Sequence, residues 1–552
     1  MGTAIASMPL FTKGWFIAHD CPAHIYRIIA TCYELQQGNY YPRWLSLALY
    51  GKGLPDLNFY SPGFYLVISW LHVFGIPLAL TLKAFSVALS VLGAFGIYLW
   101  VRKYTDTPGA LISSTIFLFI PYRFLDIYVR GALPEFAALS FLPWLFYSID
   151  LSFSQAKSHR GIVFTALTAA VIVLTHHLSA ILIAPFALIY FSWHCVAARK
   201  EPRKILFAAT GLIVGAGISA FYWLPVLIEM KHVSFNNPYR IWDHFVYPAQ
   251  WFNSKWDFGY SVVGPNDGMS FQIGPVLIGA TVLAVLLIRW VPLRTREFGL
   301  LLLFFGLFGL FMTTKYSSPI YESASFLQVI QFPWRFLGPA TLFFAALSGL
   351  STSLPIREIF SWSRWILFYI ILVFSIYISS NQRVVQHQKN PIDLDLFEKK
   401  IVASGQVGGH GMAREFLPKW ATFDPDKKLD EILLIEPRQN FNAVSSIHIK
   451  GPSITFSITS DRSSSVTIPW YYFPGWQVTI NGKQKPITID QNGFISFIVL
   501  PGSQNIKVWF GSTWPRITGW LLTTTFGLLL FAGMLAPSNS LRKKTSFSLL
   551  KL

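Results

Sequence analysis

The sequence is short of charge. Asp, Glu, Lys and Arg make up 13% of its 552 residues, where about 25% is usual for a soluble globular chain. Cysteine is scarcer still: Cys21, Cys32 and Cys195 are the only three, and their spacing matches neither a disulfide framework nor a zinc-binding motif. No glycine-rich phosphate loop of the Walker type occurs, which removes a nucleotide site of that kind. No internal repeat of the sort that builds many transporters is visible either. An ordinary soluble enzyme, a disulfide-knit secreted domain and a P-loop ATPase are therefore all excluded.

What is abundant is apolar surface: 53% of residues are hydrophobic and 17% aromatic, and mean hydropathy is positive. Apolar runs of about 20 residues, enough to cross a bilayer, recur along the chain. They fall near 79–100, 108–123, 136–151, 161–176, 178–196, 205–227, 273–290, 297–314, 336–353, 363–380 and 515–536, about eleven crossings. The stretch 161–196 is too long for one span, so a turn is placed at His176-His177.

Lys and Arg in short loops set orientation. Arg102 and Lys103, Lys157 and Arg160, and Arg199, Lys200, Arg203 and Lys204 occupy alternate loops. Arg289, Arg294 and Arg296, then Arg357 and Arg364, then Arg542, Lys543 and Lys544 continue the alternation. These loops are assigned to the cytoplasm. A basic face against anionic lipid accounts for much of the net charge of +18 without nucleic acid. The segment 61–75 is apolar but short, with Pro62 and Trp70, and reads as interfacial or re-entrant. Asp20 then falls outside the cytoplasm, yet residues 1–18, with Lys13, form neither a span nor a signal peptide. Either Met1 is an internal start and a first helix is missing, or the N-terminus is translocated. The missing helix is favoured and brings the count to about twelve.

Residues 381–513 differ: polar, rich in β-branched residues and without cysteine. Alternating runs at 454–459, 466–472 and 476–480, with 494–500 and 505–510, read as strands. Asn481-Gly482 and Asn492-Gly493 read as type I′ hairpin turns, and Pro501-Gly502 separates the last two strands. The expected organisation is a multi-span helical core at 1–380, an extracytoplasmic β-sandwich at 381–513, and a final span with a basic cytoplasmic tail at 514–552. Residues 381–450 are left unassigned.

Polar groups near a membrane core are costly and mark functional candidates. Three clusters converge on the extracytoplasmic side. The first is His19-Asp20 with His24 and Arg27, followed by Tyr41-Pro42-Arg43-Trp44 and Gly51-Lys52-Gly53. The second is Tyr122-Arg123, Asp126, Arg130-Gly131 and Glu135; the third is Gln331 to Arg335. His176, His177, Glu229 and Glu322 share their depth. A carboxylate there can take a proton from an attacking hydroxyl, and arginines suit a phosphate leaving group. Plainer roles stand beside these. Asp20 could pair with Arg27, and Asp126 with Arg130 at i,i+4 spacing. Glu135 could favour a helix N-terminus, and His176-His177 could be polar glue between helices. A two-histidine metal site would need a third ligand. Residues 332–335 could be an interfacial anchor, and Gly475-Trp476 a β-core feature.

The strings His19-Asp20…His24…Arg27, Tyr41-Pro42-Arg43-Trp44 and Phe59-Tyr60-Ser61-Pro62 resemble the opening of a bacterial membrane family called 6-pyruvoyl-tetrahydropterin synthase-related, with YfhO-like relatives. The likeness continues through Asp126-Ile127-Tyr128-Val129-Arg130-Gly131…Glu135, Leu174-Thr175-His176 and Gln331-Phe332-Pro333-Trp334-Arg335. It returns in Glu415-Phe416-Leu417-Pro418 and Tyr472-Phe473-Pro474-Gly475-Trp476, so that nearly the whole chain is covered. The resemblance implies a GT-C-like glycosyltransferase of the bacterial plasma membrane that uses a polyprenyl-phosphate sugar donor and a lipid or cell-envelope glycan acceptor. Asp20 then matches the essential acid of the first outer loop and is expected to be the general base. Asp126 and Glu135 match a second acidic loop that in some relatives helps bind a divalent metal or the acceptor. His19, His24, Arg27, Arg43, Arg123, Arg130, His176, His177 and Arg335 are the expected substrate-binding residues. The rival readings are a transporter or flippase and a non-catalytic envelope-assembly protein.

Overall fold

The computed structural model describes residues 2–154, 159–234, 240–353, 361–386, 392–404, 414–422, 424, 434–436 and 441–535. Lys157, Arg357, Arg542, Lys543 and Lys544, used above for orientation, lie outside the described residues.

Helices occupy every region expected to cross the membrane, from Leu78–Val101 to Trp514–Leu535. Among the described residues seven are long and apolar enough to span by length and composition, and an eighth if the pair Pro202–Ile218 and Ala220–His232, bent by 64°, is one span. The apolar helices Arg160–Thr175 and Pro275–Trp290 are shorter. The count of about eleven is therefore not established by helix length. A hydropathy window accepts any apolar run, whereas a bundle can bury a short helix against its neighbours. The turn at His176-His177 is present, His176 capping the helix His177–Ala197. The segment 61–75 contains the eleven-residue helix Gly63–Val73, too short to span on its own.

One break positions the site. The helix Thr107–Phe119 stops before Pro121, which cannot donate a backbone hydrogen bond. The chain then makes a widened π-type turn, Leu125–Arg130, closed by Gly131 at φ 65°, a left-handed end that glycine adopts without cost. A Cβ on Gly131 would meet Cys21 Sγ at 2.5 Å and Ala18 Cβ at 2.8 Å. Glycine thus lets residues 18–21 lie directly against the broken end. There the N–H of His19 donates to the Val129 carbonyl (3.1 Å) and that of Asp20 to the Arg130 carbonyl (2.6 Å).

The strands are β1 (Val233–Ser234), β2 (Leu417–Pro418), β3 (Leu434–Glu436), β4 (Phe441–Ile449), β5 (Ser453–Ser460) and β6 (Ser464–Tyr471). They continue with β7 (Trp476–Ile480), β8 (Lys483–Lys485), β9 (Thr488–Ile489), β10 (Phe494–Val499) and β11 (Gly502–Phe510). They form a two-stranded pair β1-β2, a four-stranded sheet β3-β6-β10-β9 and a five-stranded sheet β4-β5-β11-β7-β8. Every pairing is antiparallel. Strict alternation along β5 buries Ile454, Phe456 and Ile458, as a period of two requires. Asn481 (φ 50°) and Gly482 (φ 76°) make the expected tight turn between β7 and β8. Asn492-Gly493 does not: among the two only Gly493 has positive φ. Asp490 Oδ1 instead accepts from the N–H groups of Asn492 (2.9 Å) and Phe494 (2.7 Å), a side-chain-built turn that a dipeptide pattern does not reveal. The unassigned stretch supplies the helix Leu394–Ser404 as well as β2, β3 and β4.

The β region packs on the helical part in one continuous apolar cluster. Trp44 meets Trp476 edge-on at 5.1 Å, and Phe59 lies 5.4 Å from Phe416 and 5.8 Å from Phe473. Trp476 is accordingly a joint residue between the two parts. Behind it, buried Glu229 accepts from Asn58 Nδ2 (2.7 Å), Arg516 Nε (3.1 Å) and Arg516 Nη2 (3.0 Å), and from the Thr513 hydroxyl.

Candidate functional site

Segments distant in sequence meet around a cavity of about 940 Å³. Nine of the twelve expected site residues line it: His19, Asp20, His24, Arg27, Arg130, Glu135, His176, His177 and Arg335. Met230 from the end of Ala220–His232, Ser234 of β1, Tyr260 and Met269 add walls, and Glu415, Phe416 and Leu417 come from the chain that leads into the β region.

Most of its charge is already paired. Arg27 is buried and forks onto Asp56, through Nη2 to Oδ1 at 3.0 Å and through Nε to Oδ2; its guanidinium also lies 4.2 Å from the Tyr60 ring centre. The expected alternative of an Asp20–Arg27 pair is therefore wrong, because Asp56 takes that fork. Arg130 pairs with Asp126, as the i,i+4 spacing suggested, and with Glu135 at 3.0 Å. Its guanidinium is stacked 4.5 Å from Trp334. Glu135, in the first turn of Leu133–Ser154, also accepts from the Tyr122 hydroxyl at 2.6 Å and lies 3.5 Å from Arg335 Nε. Asp126 is wholly buried behind the cavity wall.

Two groups keep spare capacity. Asp20 precedes the helix Cys21–Gln36, but its side chain makes no capping bond. The carboxylate is 47% exposed and 3.7 Å from Arg130 Nη2, whereas Asp56, Asp126 and Glu135 are buried. Arg335 donates through Nη1 to the Ile330 carbonyl (3.1 Å), while its buried Nε lacks a hydrogen-bond partner among the described residues. Its Nε is turned to Glu135 at 3.5 Å, and as a cation on the cavity wall its guanidinium can donate to the oxygens of an anionic ligand.

The histidines are held by their far nitrogens. His24 Nδ1 is 2.7 Å from the Tyr65 hydroxyl, and His176 Nδ1 is 2.8 Å from that of Ser179. His177 Nδ1 lies 3.1 Å from both the Ser61 and Tyr222 hydroxyls, and His19 Nε2 is 2.9 Å from the Phe258 carbonyl. His177 thus joins its helix to Ser61 and Tyr222, whereas His176 caps its own helix; both line the cavity. Burial lowers the pKa of His19, against the Phe258 carbonyl, which raises it. Burial and the nearby Arg27 cation hold His24 well below the usual histidine range. Both are neutral imidazoles at pH 7.

Three expected residues stand apart from the cavity. Arg43 donates to Asn58 Oδ1 (3.0 Å) and the Phe221 carbonyl (2.6 Å). Arg123 donates to the Ser140 and Ser90 hydroxyls at 3.3 and 3.2 Å, between the rings of Phe117 and Phe136. Asp126 is the third, reaching the cavity only through Arg130. The stretch 332–335 is no interfacial anchor either, since Trp334 is 2% exposed and stacks on Phe332 at 4.9 Å. Sequence reasoning passed over Asp56, Tyr60, Tyr260 and Glu415, the last accepting from Gln331 Nε2 at 3.2 Å. Only Tyr60 and Glu415 sat in strings already singled out. As for a metal, among the described residues no three ligand-type side chains gather at the cavity; the group that does gather is Cys32, His72 and Glu398.

Residues 57–384 match the family described as 6-pyruvoyl-tetrahydropterin synthase related domain, a membrane protein. No curated protein matches the sequence. Among solved structures, an arabinofuranosyltransferase from Mycobacteria is similar at 16% identity and a TM-score of 0.42, over 69% of this chain and 27% of that one. The apo oligosaccharyltransferase of Archaeoglobus fulgidus is similar at 12% identity and a TM-score of 0.43, over 73% of this chain and 59% of that one. This chain therefore spans 27% and 59% of their respective lengths.

Proposed function

The chain belongs to the 6-pyruvoyl-tetrahydropterin synthase-related family of membrane proteins, and from that premise we propose that it is a glycosyltransferase of the GT-C kind. It moves a sugar from a polyprenyl-phosphate carrier to a lipid or glycan acceptor outside the bacterial plasma membrane. In this reading residues 1–380 form the membrane core, 381–513 the extracytoplasmic β domain and 514–552 the last span and tail.

The observation that carries the reading is a half-exposed carboxylate, Asp20, lying 3.7 Å from Arg130 on the wall of a cavity that Arg335 also lines. Asp20 accepts the proton of the acceptor hydroxyl as its oxygen attacks the anomeric carbon. The bond from that carbon to the phosphate oxygen breaks, and the polyprenyl phosphate leaves with the electron pair. Arg335 and Arg130 stabilise the charge on that phosphate, since guanidinium matches its oxygens. Glu135 and Asp126 act as positioning residues that hold the two arginines. The neutral imidazoles of His24 and His19 offer hydrogen bonds to sugar hydroxyls without adding charge. A volume of about 940 Å³ is at the upper end for small-ligand pockets, about 300–1,000 Å³, and suits a sugar with its acceptor. Arg43 and Arg123 have no part in this scheme.

The test is sugar transfer by the purified chain from a panel of polyprenyl-phosphate sugars. Wild type is expected to form a product inverted at the anomeric carbon. A folded Asp20→Asn variant is expected to lose about 100-fold or more, the usual contribution of a general base. Transfer undiminished in Asp20→Asn would remove Asp20 as the base. A retained configuration would overturn the single displacement. Transfer absent with every donor from a monodisperse wild type would favour a transporter or an assembly factor.

A further inference from the structure

Away from the cavity, three helices bring soft and hard metal ligands to one point. Cys32 lies on Cys21–Gln36, His72 in the last turn of Gly63–Val73 and Glu398 on Leu394–Ser404. One ligand atom of each lies within 4.8 Å of the other two. His72 Nε2 is 2.7 Å from Glu398 Oε2, and His72 Nδ1 is 2.7 Å from the Ile76 carbonyl. A carbonyl only accepts, so Nδ1 carries a hydrogen and Nε2 is the nitrogen turned to the cluster. Metal-bound histidines are oriented in the same way, by donating the remote N–H to a carbonyl or carboxylate. Cys32 Sγ lies 3.9 Å from the Ser69 carbonyl, a long contact that leaves the sulfur lightly held.

We propose that Cys32, His72 and Glu398 bind a divalent ion of the zinc class, with water as the fourth ligand. Thiolate with imidazole selects such an ion. Calcium would demand about six to eight oxygens, and the cluster offers one carboxylate. Zinc bonds of about 2.0–2.3 Å place tetrahedral ligand atoms about 3.3–3.8 Å apart, so on loading the 2.7 Å His72–Glu398 contact opens slightly while the thiol, within 4.8 Å of both, moves in. Cys32 is 1% exposed, while the His72 and Glu398 side chains are 15% and 14% exposed, which leaves one side open to ion and water. Burial pushes the Cys32 thiol up to about 12; a bound dication reverses that balance by ionising the coordinating thiol. On binding, the thiol proton and the proton shared by His72 and Glu398 pass to solvent. The bound ion pins Leu394–Ser404 to Cys21–Gln36 and Gly63–Val73, a fastening independent of the transfer chemistry. The plainer account is a His72–Glu398 ion pair with the thiol merely packed beside it.

The deciding measurement uses the full chain in detergent, incubated with zinc sulfate, desalted and assayed for metal by mass spectrometry. Wild type and Asp20→Asn are expected to retain close to one zinc per chain, and Cys32→Ser and His72→Gln to lose most of it. Cobalt(II) in place of zinc is expected to give a thiolate-to-cobalt charge-transfer band in wild type that Cys32→Ser lacks. Should a variant fail to fold, wild type alone decides, by that band and by a fall in Tm when the zinc is chelated. A monodisperse wild type that keeps no zinc and gives no band overturns the site, as does Cys32→Ser retaining zinc like wild type.

Discussion

Asp20 shows how much of a residue's chemistry is decided by its neighbours' backbone. It is held by a hydrogen bond to the carbonyl of Arg130, which is possible because Gly131 leaves room for Ala18 and Cys21. Its carboxylate is left out of the helix cap and stays open to the cavity. The buried histidines add a pH dependence at the same scale. His19 and His24 both have folded pKa values below the 6.5 of a free histidine. The unfolded chain therefore binds more protons as pH drops below about 6.5, and stability falls with it. Their contribution is fully present above that value and is lost progressively as pH descends toward the folded values. Thermal unfolding in detergent is expected to show Tm falling from pH 7.5 to 5.5, and His24→Gln a shallower fall. A slope identical in wild type and variant would remove His24 from this account.

Among the elements, the joint between the helices Ala220–Glu229 and Trp514–Leu535 has the most to lose. Glu229 is 2% and Arg516 1% exposed, and the two are joined by paired hydrogen bonds of 3.1 and 3.0 Å. Removing one partner of a buried ion pair strands the other charge, at a cost of about 3–5 kcal/mol. Glu229→Ala is expected to lower stability by that order, visible as a depressed Tm. The double variant Glu229→Leu/Arg516→Met, apolar on both sides, is expected to recover much of it. A double variant no better than the single would mean that the joint depends on the further bonds to Asn58 and Thr513.

At the scale of the whole molecule, the prediction is sidedness. Basic loops alternate along the chain, and by the positive-inside bias the cavity and the β region are expected outside. Ser503→Cys, exposed on β11, is expected to react with a membrane-impermeant maleimide in intact cells. Lys200→Cys, exposed after His177–Ala197, is expected to react only after lysis. The reverse pattern would turn the protein over in the membrane and remove the extracytoplasmic acceptor.

The sequence by itself determined what depends on near neighbours along the chain. Apolar runs marked the helices expected to cross the membrane, though not Cys21–Gln36 or Leu394–Ser404; alternation marked β5 and β7, and Asn481-Gly482 marked its turn, because burial periodicity and φ preference are local properties. Nine of the twelve expected site residues do line one cavity, since charge placed near a membrane core is rare enough to stand out. Only the tertiary structure decided which charge meets which. Arg27 turns to Asp56, 29 residues on, instead of to Asp20. Arg43 is spent on Asn58 and Phe221, and Arg123 on Ser90 and Ser140. A buried guanidinium must satisfy its N–H groups with whatever acceptors packing brings within reach. That inventory is fixed by how the helices cross, and a linear sequence pattern does not carry it.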